Sequence, residues 1–87
     1  MIYLDYNSTT PMLKQIVSYL AKFSKSNFGN PVSLHTAGQK AGREVLCAKE
    51  KIAHFFDTSP ENIIITSSGA EANNLILWGT FLFQKFN

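Results

Sequence analysis

The chain has 87 residues, with eight Lys and Arg against six Asp and Glu for a formal net charge of +2. That length allows one small domain, the charge provides no basic stripe for nucleic acid, and a single cysteine rules out a disulfide framework or a multi-cysteine metal cluster. With 45% hydrophobic and 16% charged residues against a usual ~25% charged, disorder is excluded and part of the surface is expected to take cover.

No apolar run approaches the ~18–20 residues of a membrane helix, so no membrane role is expected. Met1-Ile2-Tyr3-Leu4-Asp5 lacks the basic and apolar regions of a signal peptide, which leaves the cytoplasm as the expected compartment. Charge is uneven: residues 1–43 carry five basic side chains and one acidic, whereas residues 44–87 carry three basic and five acidic.

Ile2-Tyr3-Leu4 reads as a short strand entering the polar stretch Asp5-Tyr6-Asn7-Ser8-Thr9. Thr10-Pro11 then predicts a helix start, with Thr10 as cap and Pro11 in the first turn. Apolar residues at 12, 13, 16, 17, 20 and 23 form one helical face, and the turn formers from Ser26 to Pro31 end it near Ser24. A second helix is predicted from Ser33–Thr36 to about Phe56, with the stripe Leu34, Ala37, Ala41, Val45, Ala48, Ile52 and Phe55. Gly38 and Gly42 cost about 1 kcal/mol each in a helix, so their spacing of four suggests a place where another backbone comes close.

After the turn Asp57–Asn62, Ile63-Ile64-Ile65 reads as a strand buried on both faces, the pattern of a parallel α/β sheet. A third helix follows from about Glu71, with Ala72, Leu75, Ile76, Gly79, Leu82, Phe83 and Phe86 on its apolar face. Three helices and two short strands cannot bury Ile63–Ile65 on both sides, and the helical pattern still runs at Phe86-Asn87. The sequence is therefore expected to be cut short.

The chemistry-bearing segment is Thr66-Ser67-Ser68-Gly69-Ala70-Glu71. A Ser/Gly turn leading into a helix directs unpaired amides at an anion, and the helix dipole adds to the attraction. The amides of Gly69, Ala70 and Glu71 and the hydroxyls of Ser67 or Ser68 would meet a phosphate. Equally, Ser68-x-x-Glu71 is a capping box that closes the helix start and nothing more. His35 opens a helix, His54 suits a helix C-terminus, and Cys47 reads as a partly buried, inert thiol.

Three segments together resemble the pyridoxal-phosphate-dependent cysteine desulfurases of the class V aminotransferase family. Ile2 to Pro11 resembles that family's opening, typically YLDNNATTP, Phe28 to His35 is similar to FGNPSSLH, and Ile63 to Asn74 to IIFTSGATEANN. The resemblance covers the family's N-terminal portion. It implies the aminotransferase-like (fold type I) α/β fold, with residues 1–32 in the small domain and 33–87 opening the large cofactor-binding domain. It further implies pyridoxal 5′-phosphate as cofactor, L-cysteine as substrate, a homodimer, and transfer of sulfur to acceptor proteins for iron–sulfur cluster assembly or tRNA thiolation. By position, Gly69 and Ala70 match the residues that hold the cofactor phosphate, and His35 matches a histidine facing the active site of the dimer.

Ala70 stands where the family carries a Thr whose hydroxyl also serves the phosphate. The Schiff-base lysine and the sulfur-accepting cysteine have no counterpart among these residues; Cys47 is on a helix in the wrong part of the chain. No catalytic residue is assigned, and the chain alone is expected to be inactive. A selenocysteine lyase or an aminotransferase of the same class, or a non-catalytic interaction module, remain the other readings.

Overall fold

The computed structural model describes residues 1–86, which form three α-helices: α1 Lys14–Ser26, α2 Thr36–Phe55 and α3 Gly69–Phe86, with a single 3₁₀ turn at Pro60–Asn62. They fall into two compact units that divide within α2, Met1–Ala48 and the stretch from Lys49 onward.

In the first unit, residues 1–11 form a hooked loop rather than the expected strand. The Tyr3 hydroxyl donates to the carbonyls of Asp5 and Thr9 at 3.2 and 3.1 Å, and the amides of Ser8 and Thr9 turn back onto the Asp5 carbonyl. Tyr6 packs edge-on against Tyr3, ring centroids 5.2 Å apart. With Thr9 held in this loop, Thr10 does not cap α1. The chain leaves extended through Leu13 (φ −58°, ψ 136°), and α1 begins at Lys14 with no side-chain cap. The first two helical bonds run from Ile16 and Val17 to the Leu13 carbonyl. At the far end Tyr19 stacks on Phe23, and the Asn27 amide closes on the Phe23 carbonyl at 2.9 Å.

The loop after α1 rests on α2 where the two glycines stand. A Cβ on Gly38 would lie 2.3 Å from the Ser33 carbonyl oxygen, and one on Gly42 3.0 Å from that of Pro31. The close backbone approach expected from the Gly38/Gly42 spacing is therefore present, and it is made by the loop itself. Asn30 shapes that loop: its Oδ1 accepts from the Val32 amide, its carbonyl from the Ser33 amide, and Lys40 Nζ reaches back to the Ser26 carbonyl at 3.1 Å.

In the second unit, α2 ends at Phe55 and Asp57 takes a left-handed conformation (φ 52°), tolerable for a short polar side chain. The 3₁₀ turn then delivers Ile63 in an extended conformation (φ −96°, ψ 116°). Its extension matches the β-branched sequence, but among the described residues neither Ile63–Ile65 nor Ile2–Leu4 is a strand. A strand needs a partner ladder as well as a propensity, and neither run has one. Ile64 and Ile65 are exposed for the same reason.

Burial is sparse. Among the described residues only Gly38, Ala41 and Ala53 are buried, and of the expected α2 stripe Ala41 is buried and Ala37 half-buried; Leu34 and Phe55 are 89% and 81% exposed. Cys47 is a free, exposed thiol, because its face of α2 carries no covering element among the described residues. No helix is long and apolar enough to cross a membrane.

Candidate functional site

The turn into α3 is built almost wholly from its own atoms. Ser68 is the cap: its Oγ accepts from the Glu71 amide at 3.2 Å, and its carbonyl accepts the first helical bond from the Ala72 amide at 3.1 Å. The same carbonyl takes a bond from the Thr66 hydroxyl at 3.0 Å. Glu71 folds back as a capping box requires, but onto Ser67 instead of Ser68. One carboxylate oxygen accepts from the Ser67 amide at 2.8 Å and from the Ser67 hydroxyl. Those two donors, the hydroxyl first, hold the exposed Glu71 carboxyl below the ordinary range.

This arrangement places the helix start two residues before the expected Glu71, with Gly69 and Ala70 as its first two residues. The signal was available: a Ser-x-x-Glu box fixes the cap at Ser68 and therefore the first helical residue at 69. What sequence reasoning left open was the separate task of each hydroxyl. Ser67 is committed to Glu71 and Thr66 to the Ser68 carbonyl.

Gly69 and Ala70 are exposed, and among the described residues their amides donate to no group. A Cβ on Gly69 would meet nothing within 4 Å, so the space over the turn is open. Two free N–H groups at the positive end of an 18-residue helix, beside serine hydroxyls, form a donor set that suits an anion. Such donors are of the kind a phosphate ester takes, and the Glu71 carboxylate, held on Ser67 in the same turn, is an opposing charge.

The other candidates are engaged locally. His35 caps α2, its Nδ1 accepting from the Gly38 amide at 3.2 Å, while the His35 carbonyl accepts from Gln39. His54 lies in the last turn of α2, where a cation suits the dipole. Among the described residues, no group of three or more His, Cys, Asp or Glu is placed to hold a metal ion.

Free amides at an exposed serine–glycine helix start are a donor set of the kind that meets anions in proteins. The chain belongs to the class-V aminotransferase family, whose model (Aminotransferase class-V) matches residues 2–85. It is similar to a selenocysteine lyase of Xenopus laevis, 46% identical over 86 residues, covering 99% of this chain and 20% of that protein. It is also similar to the cysteine desulfurase IscS of Dictyoglomus turgidum (40% identical; 90% of this chain, 20% of that protein). A third relative is the putative cysteine desulfurase IscS 1 of Bacillus subtilis (37% identical; 97% of this chain, 22% of that protein). The chain thus spans about a fifth of the length of the curated relatives it matches. No solved structure matches it significantly.

Proposed function

We propose that this chain is the cofactor-phosphate segment of a pyridoxal-phosphate enzyme that takes sulfur from L-cysteine and releases alanine. The observation that carries the reading is the pair of uncommitted amides at Gly69 and Ala70, at the positions the family resemblance gives to the phosphate. Pyridoxal phosphate, when bound, supplies the electron sink that lets the carbon–sulfur bond break. The part played by these residues is to hold and orient the phosphate: two N–H donors fix it, the dipole of α3 favours its charge, and Ser67 holds the Glu71 carboxylate in place.

A second reading takes selenium from selenocysteine, and the similarity to the Xenopus selenocysteine lyase favours it. Both readings place the chain in an aminotransferase-like (fold type I) α/β enzyme, with residues 1–32 in the small domain and 33–87 in the large one. Both assign a homodimer that passes the chalcogen to acceptor proteins in the cytoplasm. The 87 residues alone hold phosphate and do not catalyse.

The test is to incubate the purified chain with pyridoxal phosphate and L-cysteine or L-selenocysteine. Alanine is assayed, and the cofactor is trapped with borohydride for mass spectrometry. The expected result is no alanine and no single labelled lysine, together with saturable changes at the Gly69 and Ala70 amides. Alanine release with one lysine trapped would make the chain an enzyme in its own right and overturn this account.

A further inference from the structure

Ala70 has no hydroxyl to offer a phosphate, and the turn contains three others, on Thr66, Ser67 and Ser68. A hydroxyl has one proton to donate and two lone pairs to accept with, so each can be sorted by what it already does. The Thr66 proton goes to the Ser68 carbonyl, and the Ser67 proton goes to Glu71. Ser68 Oγ is used only as an acceptor, taking the Glu71 amide at 3.2 Å, so its own proton is uncommitted. It sits on the exposed cap residue immediately before the two free amides.

We infer that Ser68 is the hydroxyl that donates to the cofactor phosphate in this chain, making with the Gly69 and Ala70 amides a three-donor cradle in place of the hydroxyl missing at position 70. The inference rests on the phosphate reading of the turn. The capping and donating tasks are compatible, because the lone pair that closes the helix start and the proton that meets the phosphate belong to different sides of one oxygen. Ser67 cannot exchange places with it without giving up its hydroxyl bond to Glu71, which leaves that carboxylate on the Ser67 amide alone.

The experiment follows backbone amide shifts of the labelled chain during titration with inorganic phosphate, for wild type and Ser68→Gly, Ser68→Ala, Ser68→Thr and Ser67→Ala. Glycine is tolerated at a helix cap, so Ser68→Gly removes the donor while far-UV circular dichroism reports α3 unchanged. Expected are saturable shifts at Gly69 and Ala70 in the wild type. Ser68→Gly and Ser68→Ala should bind about tenfold more weakly, the size of one hydrogen bond to a charged group. Ser68→Thr, which keeps both functions, should stay within about twofold of wild type, whereas Ser67→Ala takes one of two donors from the Glu71 carboxylate and should weaken binding less than Ser68→Ala does. Wild-type binding that survives Ser68→Gly within twofold, or that falls with Ser67→Ala as with Ser68→Ala, overturns the assignment of Ser68 and leaves the phosphate reading standing. No saturable wild-type response overturns both.

Discussion

Gly38 and Gly69 are the same residue type doing opposite things. Gly38 matters for the Cβ it lacks: the carbonyls of Ser33 and Asn30 lie 2.3 and 2.8 Å from where that atom would be, so the loop can rest on α2 only if it is absent. Gly69 faces open space, and an added Cβ would touch nothing within 4 Å. What matters at Gly69 is the N–H it keeps, free at the start of α3. The first glycine is explained by the chain's own packing. The second has no such packing neighbour, and under the proposed function its N–H serves the phosphate.

Gly38→Ala should destabilise the first unit by about 3 kcal/mol, the upper range for forcing an atom into a filled site, because the neighbours are two backbone carbonyls and the Ser33 Cβ, none of which can rotate away. Chemical denaturation followed by circular dichroism would measure it, and a change below about 1 kcal/mol would show that the loop is not seated as described.

Gly69→Pro sharpens the other side. Proline suits the first helical position, where its missing N–H costs the helix nothing, and an extended cap residue before it is permitted. The helix should persist while phosphate binding weakens about tenfold for the lost charge-assisted bond. Gly69→Ala should leave both intact, since its Cβ has room and its amide remains. Equal binding by Gly69→Pro and wild type would remove the amide from the site.

A smaller effect is expected at His35. Replacing it by Ala removes the acceptor of the Gly38 amide and should cost about 1 kcal/mol of α2 stability, whereas Asn should restore most of it. Identical melting of the two variants would mean that the imidazole is not a cap.

The smallest effect is a pH dependence. Bonds from Ser67 pull the Glu71 carboxyl below its ordinary value of 4.5. A depressed acid contributes order that is complete above that ordinary value and is lost as pH falls through its lower, folded value. The Ser67 amide shift should therefore titrate below pH 4.5, and Glu71→Gln should abolish the titration. A titration at or above the ordinary value would contradict the clamp.

The helices and the glycine contact were legible in the sequence, because apolar periodicity and a Gly-x-x-x-Gly spacing are local signals that the backbone obeys. The strands were not. Ile63 is extended as its β-branched side chain prefers, yet pairing depends on a neighbour that propensity does not supply. Thr10-Pro11 had the chemistry of a helix start, but the Tyr3 hydroxyl keeps Thr9 in a loop and α1 opens three residues after Pro11. At the candidate site, the turn and its glycine could be picked out from residue types. Which serine closes the box and which keeps a free proton could not, since a hydroxyl chooses its partner only once the turn exists.

Under the proposed function, the Gly69 and Ala70 amides hold the phosphate of the cofactor. Its most direct test compares pyridoxal phosphate with pyridoxal, titrated into the labelled 87-residue chain under the same conditions. Saturable shifts at Gly69 and Ala70 are expected with the phosphate ester and none with pyridoxal. Equal responses to both, or no response at either amide, would contradict it.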